Sequence, residues 1–294
     1  MLYIVIIFTI YFKNNYGTIN HLSKMVEETK INNELSALRI SLDQIDARLR
    51  KILIERADIA SKVAKVKKAH NLSVFHPSRE MEILRDLNNS DLGSFNLKQI
   101  WGIWRGIINA NTAIQSKLNI IMEKNIKKND RDLILHNFGS INNLIEDENA
   151  MDLLKKEKNI DSSILVLRND STSLLDIDGK KLSVIGTLPQ LHNKSEEPTL
   201  YIIGQPDQFF TEDDTYLYKI KIEKKKLINK EYLSALLQDY LDDDLEFVKK
   251  LSEEFYLLAI KDKVDNGFNN ISIIDEIQCI GRYATPIIIG DEVE

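Results

Sequence analysis

Between Asn33 and His70 the sequence holds neither glycine nor proline, and its apolar residues recur in alternating steps of three and four: Leu35, Leu38, Leu42, Ile45, Leu49, Ile52, Ile59, Val63 and Val66. That spacing is the seam of a single helix. A helix over this stretch would run about 55 Å at 1.5 Å per residue. It needs apolar partners along its whole length, and helices much beyond about 25 residues usually belong to coiled coils or intertwined bundles. The pattern therefore predicts a dimer that shares this helix.

A second helix is expected from Pro77 and Ser78 through Leu87, because proline suits a first helical turn. A turn over Asp91–Phe95 contains Gly93, and a third helix is expected over about Asn96–Met122, with the seam Leu97, Ile100, Trp104, Ile107, Asn111, Ile114 and Leu118. Beyond Asn119 the texture changes. Short β-rich runs (LILHNF, SILVLRN, KLSVIG, TLYIIG, TYLYKIKI, EFYLLAI) alternate with polar helical segments, and 4 of the 5 prolines fall at or after Pro189. The reading is a multi-domain chain: an extension over 1–30, an all-α domain over 31–120 and an α/β (α+β) domain over 121–294, with the boundary in EKNIKKNDRD. A length of 294 residues accommodates two domains.

Lys and Arg number 39 against 45 Asp and Glu, for a net charge of -6, so no nucleic-acid partner is suggested. With 1 Cys, Cys279, an intrachain disulfide and a cysteine-based metal site are both excluded, and a reducing, cytoplasmic setting is the simplest reading. The apolar run Met1–Phe12 is shorter than the roughly 20 residues needed to span a bilayer as a helix. It has no basic segment before it and no small-residue cleavage site after it. Two readings of residues 1–24 stay open: an upstream extension with translation starting at Met25, or a membrane anchor or export signal.

Polar residues interrupt two seams, Arg56 in the first helix and Asn111 in the third. Burying either without a partner costs several kcal/mol, roughly 3–5 where a buried ion pair is broken. One solution is internal: a carboxylate for Arg56 and a register-setting hydrogen bond for Asn111. The other is a ligand. Lys67 lies eleven positions after Arg56, almost three whole turns, so both side chains leave nearly the same helix face. Arg39 lies about 25 Å before Arg56 and about 100° round the helix, so it can reach such a pocket only from an antiparallel partner subunit. Arg79 and Glu80 on the second helix, with Gln115 one turn from Asn111, complete several cations, one carboxylate and two amides within an apolar bundle. That set suits a small, multiply anionic ligand bearing a hydroxyl or ether oxygen. There is no Ser-His-Asp pattern, no metal cluster and no glycine-rich phosphate loop. Catalysis here would be positional and electrostatic. His70 and His76, six apart and without a supporting Cys or carboxylate pattern, read by themselves as surface or loop residues.

Residues 34–118 resemble the all-helical (type II) chorismate mutase domain, the short three-helix form that makes an intertwined dimer. The stretches that carry this are LSALRISLDQIDARLRKILIERADIASKVAKVKK, VFHPSREMEIL and IWGIWRGIINANTAIQ. Arg39 and Asp46 match the motif that opens the first helix, Arg56 and Lys67 the later cations of that helix, Arg79 and Glu80 the Arg-Glu pair of the second, and Gln115 the third-helix Gln. His76 stands where the family commonly has Asp, and Asn111 where it often has Ser. The resemblance implies conversion of chorismate to prephenate by a [3,3]-sigmatropic rearrangement without cofactor, in aromatic amino acid biosynthesis. It implies that Arg56 and a partner subunit's Arg39 clamp carboxylates, that Lys67 and Gln115 donate to the ether oxygen as charge develops there, and that Glu80 holds the ring hydroxyl. Arg79 and Asn111 would support carboxylate binding, while His76 bears on substrate affinity.

The second half is similar, more weakly, to prephenate dehydratase and ACT-type regulatory sequence. PTLYIIGQPDQFFTEDDTYLYKI places Thr199 at the Thr of a Thr-Arg-Phe motif, but Leu200 and Tyr201 replace the Arg and Phe; IQCIGRYATP is similar to the last strand of an ACT domain. About 175 residues cannot hold both complete domains, so a reduced, non-catalytic relative is expected. The alternative for the whole chain is a pseudoenzyme that binds a shikimate-pathway metabolite without turnover.

Overall fold

The computed structural model describes residues 2–70, 72–157, 160–192, 197–207, 209–223, 229–241, 244–261, 263, 271 and 273–289, with side chains from residue 24 onward. The chain falls into two compact units, 1–58 and 59–294. The first is helical throughout its described length, as part of α1 (Leu2–Ala69). The expected helix is therefore present and reaches further toward the amino terminus. Within the single chain its seam faces solvent: Leu35, Leu38, Leu42, Ile45, Leu49 and Ile52 are all exposed. The side chains of Met1–Phe12 lie outside the described residues. Among the described residues no helix is long and apolar enough to cross a membrane.

The second unit takes up the end of α1 and then α2 (Pro77–Asn88) and α3 (Leu97–Gln115). Pro77 opens α2 and Glu80 lies in its first turn, where a carboxylate complements the helix dipole. Asn96 and Gln99 form a reciprocal capping box at the start of α3. The described elements that follow are β1 (Asn119–Glu123), α4 (Lys128–Phe138), β2 (Asn143–Asp147), α5 (Ala150–Lys156), β3 (Ser163–Arg168), β4 (Ser183–Leu188), β5 (Leu191–His192), β6 (Leu200–Gly204), β7 (Asp214–Ile222), α6 (Lys230–Leu241), β8 (Leu245–Lys250), β9 (Phe255–Ile260), β10 (Ile274–Ala284) and β11 (Ile287–Ile288).

Nine strands form one mixed sheet in the order β2-β1-β3-β6-β4-β10-β7-β9-β8, and β5 pairs with β11 separately. β2, β1 and β3 run parallel, whereas β7, β9 and β8 are antiparallel neighbours. Alternation along the strands sorts side chains onto two faces. Ile120, Met122, Ile164 and Val166 join Ile134 and Phe138 of α4 in one core, while Ile121, Leu165 and Leu167 join Met151 and Leu154 of α5 in another. The antiparallel side is covered by Leu233 and Leu237 of α6. Met81, Leu84 and Leu87 of α2 pack with Trp101 and Ile108 of α3 and with Ala284 of β10. The fold is thus a set of helices leading into an α/β half with a mixed sheet.

Three expectations are corrected. The third helix stops at Gln115, short of Met122, because Ser116 turns to extended backbone and Leu118 to Met122 are buried in the sheet region, with β1 carrying its apolar residues onto both faces. The run LILHNF lies in a helix, α4, rather than a strand: Ile134 and Phe138 are four apart and buried together, and Gly139 at φ 67 follows the helix end. The buried face of α3 is Leu97, Trp101, Arg105, Ile108 and Asn111; Ile114, placed in the expected seam, is exposed.

The two sides of the sheet meet where β10 runs parallel to β4, with Gly281 opposite Val184. A Cβ at Gly281 would stand 2.3 Å from Val184 O and 2.5 Å from Val184 N, against backbone that cannot swing aside. Gly281→Ala is expected to lower stability by about 1–3 kcal/mol, as over-packing does, read as an earlier urea midpoint at unchanged slope. A variant as stable as the wild type would mean that this junction is looser than described.

Candidate active site

The sequence-predicted residues divide between the two compact units. Arg39 and Arg56 lie on the part of α1 in the first, Arg39 exposed and Arg56 partly buried. Lys67, His76, Arg79, Glu80, Asn111 and Gln115 lie in the second.

Within the second unit the connection from α1 to α2 is pinned to the α/β half. Phe75 is buried against Phe138 of α4, ring centroids 5.6 Å apart, and the Val74 N–H donates to Asp161 O at 2.9 Å. The Lys67 ammonium crosses that connection and donates to Val74 O at 2.9 Å. Burial pushes its pKa down from 10.5 to about 8, while the carboxylates of Asp207 and Glu80 pull the other way.

Arg79 and Glu80, adjacent in sequence, separate. Arg79 is 69% exposed and pairs with Glu82 on its own helix at 2.7 Å. Glu80 turns inward and accepts from Arg105 Nη1 at 2.5 Å; the two side chains are 8% and 3% exposed. Arg105 also donates through Nε to Asn137 O at 2.9 Å and lies over the Trp101 ring at 5.5 Å. Asn109 Nδ2 donates to the same carbonyl at 2.9 Å. One buried cation therefore ties together α2, α3 and the end of α4.

Asn111 donates to Ile107 O at 2.7 Å within α3, and its Oδ1 is buried without a partner. Gln115, one turn on at the helix end, likewise has a buried, unpartnered Oε1. A buried acceptor left unpaired costs about 1–3 kcal/mol, so these two amides are places where a polar ligand gains. His76 occupies the cap position of α2 but makes no side-chain capping bond. Its Nδ1 stands 3.7 Å from Asp207 Oδ1, an electrostatic contact too long for a direct hydrogen bond, and its ring meets Phe209 edge-on at 5.4 Å.

Lys67, His76 and Glu80 are thus brought into one region, and two residues that the sequence reading missed join it. Arg105 carries a sequence signal: it belongs to the four-spaced line Leu97, Trp101, Arg105 on α3. Asp207 carries none, because only the return of the β6–β7 loop to the start of α2 brings it there. Among the described residues no group of three His, Cys, Asp or Glu side chains could hold a metal ion.

Comparison with known proteins agrees with this organisation of the first 116 residues. Residues 38–116 match the family model for chorismate mutase type II, so the amino-terminal part of the chain carries a chorismate mutase type II segment. The bifunctional chorismate mutase/prephenate dehydratase of Aquifex aeolicus (strain VF5) is 33% identical over 91 residues, which cover 30% of this chain and 25% of that protein. The protein of the same description from Stutzerimonas stutzeri is 28% identical over 92 residues, again 30% and 25%. The chain thus aligns with about a quarter of the length of these curated relatives. Among solved structures, prephenate dehydratase from Streptococcus mutans aligns over 58% of this chain and all of that chain, at 14% identity and a TM-score of 0.39.

Arg105→Met strands the Glu80 carboxylate in a buried site and is expected to cost about 3–5 kcal/mol, whereas adding Glu80→Gln should recover a large part of that loss. Chemical denaturation of the single and double variants measures it. A single variant within about 0.5 kcal/mol of the wild type would show that the pair does not hold these helices.

Proposed function

We propose that the protein is a chorismate mutase, rearranging chorismate to prephenate without a cofactor. The observation that carries this reading is the family match over residues 38–116. That span contains Arg39, Arg56, Lys67, Arg79, Glu80, Asn111 and Gln115 at the spacing the reaction needs.

The substrate is a flexible dicarboxylate whose reaction requires a compact, chair-like conformer. Arg56 and the Arg39 of a second copy clamp the carboxylates, a task suited to planar guanidinium groups. As the C–O bond breaks, negative charge grows on the ether oxygen, and Lys67 and Gln115 donate to it, the interaction that lowers the barrier. Glu80, held from behind by Arg105, accepts from the ring hydroxyl with its free lone pairs. Asn111 and Arg79 assist carboxylate binding, and His76 tunes affinity at the mouth of α2.

The second copy enters because the exposed seam of α1 from Leu35 to Ile52 needs cover. An antiparallel pairing of two such helices both buries it and delivers Arg39 to the partner's site. The helical region 31–120 is then the catalytic domain. The α/β region 121–294, reduced relative to dehydratase and ACT sequence, serves as a buttress or regulatory part.

Lys67→Ala and Gln115→Ala are each expected to lower kcat by about 10²-fold or more, the scale of losing one transition-state donor; unchanged turnover in either sinks the assignment. Mixed subunits test the shared site. Arg39→Ala and Arg56→Ala homodimers should be inactive, and their heterodimer should regain activity through its one intact site; a heterodimer as inactive as both parents argues against sharing.

The pH dependence has a definite sign. Lys67 is a cation below its pKa of about 8, so kcat/KM should fall as pH rises through that value. Its folded pKa lies below the unfolded 10.5, so its contribution to stability moves oppositely, improving between about pH 8 and 10.5 as the buried cost of the charge disappears. Lys67→Met should remove that rise; a rise that survives in Lys67→Met assigns it to another group.

A further inference from the structure

Asp207 lies in the segment between β6 and β7, far in sequence from the helices that carry the other candidate residues, yet its side chain is 4% exposed and faces the start of α2. The segment is held there from the sheet side. Arg282 of β10 donates through Nη2 to Asp207 O at 2.9 Å and Phe209 O at 2.7 Å, pairs through Nη1 with Asp214 at 2.5 Å, and lies 3.7 Å over the Phe210 ring. On the helix side Phe209 meets the His76 ring. Burial disfavours the charged Asp207 carboxyl, but the His76 imidazole, the Phe209 N–H at 3.0 Å and the Ser78 hydroxyl outweigh it, and the group stays ionised below the usual carboxylate range.

Two carboxylates act on the Lys67 ammonium, Glu80 from α2 and Asp207 from this segment. Glu80 is committed to Arg105. Asp207 has no such cation: His76 stands 3.7 Å from one oxygen, and the other, Oδ2, is buried without a hydrogen-bond partner. Its charge is therefore the less compensated of the two.

We infer that Asp207 is a positioning residue of the candidate active site, holding the Lys67 ammonium and the His76 ring in place and so tying that site to the α/β half of the chain. The inference rests on the mutase reading for its functional consequence, though the coupling of Asp207 to Lys67 does not. The segment is clamped by Arg282, so a rearrangement of β10 or β7 would be felt at Lys67.

The test is Asp207→Asn in the full chain labelled with [ε-13C]lysine, with the Lys67 signal assigned by its loss in Lys67→Arg and titrated by NMR. Removing the charge should move the Lys67 midpoint down by at least about half a pH unit. The alkaline limb of the kcat/KM profile on chorismate should move down with it, while thermal stability and KM below that limb change little. Asp207→Ser, which also removes the charge, takes its place should the amide variant not fold. A Lys67 titration that stays put in a folded variant overturns the inference whatever the wild type does with chorismate. A Lys67 midpoint that moves in a protein that leaves chorismate untouched upholds the coupling and overturns the mutase reading instead.

Discussion

A guanidinium buried to 3% exposure must be satisfied from every side, and the way Arg105 meets that demand organises the described helices around it. Glu80 supplies the countercharge from α2, Asn137 O the remaining acceptor from α4, and the Trp101 face the cover. Because those groups come from three helices, none can shift independently of the others. The pair is better read as a device of specificity than of raw stability, since two apolar residues of similar volume could fill the same space at no greater cost. What it fixes is the position of a carboxylate. Glu80 is held facing Lys67 while its neighbour Arg79 turns to solvent.

That arrangement links the fold to the proposed chemistry. Lys67 is a better donor for being partly desolvated, and it keeps its charge near neutrality because Glu80 and Asp207 oppose the desolvation. The two unpartnered amide oxygens on α3, those of Asn111 and Gln115, are the other feature that a helix packed only for stability would not keep. Relatives described as bifunctional align with this chain only through their mutase-like quarter. The second half is therefore treated as a support for the helical site, joined to it through the Phe75 anchor and the Asp207 contact.

Much of the helical half was legible because period and punctuation agreed. The glycine-free seam of α1, Pro77 at the first turn of α2 and the Asn96-Gln99 box of α3 each state an element locally. β3, β4, β6, β7, β9 and β10 were legible as β-rich runs. The errors arose where a short apolar run suits two periods. LILHNF offers Ile134 and Phe138 to a helix face as readily as alternate residues to a strand, and only the sheet beneath α4 decides between them. The third helix was read too long because Leu118 to Met122 continue an apolar pattern whose true partners are β2 and β3. At the candidate site, residues on one helix could be read by spacing. Arg105 was hidden by a seam drawn one residue off, and Asp207 by the distance along the chain over which β6 and β7 carry it back to His76.

The central claim is turnover, and the most direct measurement is the loss of chorismate absorbance with purified wild-type protein, the product identified by acid conversion of prephenate to phenylpyruvate. The account predicts loss of chorismate with stoichiometric prephenate and no added cofactor. A folded dimer that leaves chorismate unchanged would contradict it and make the helical region a binding module.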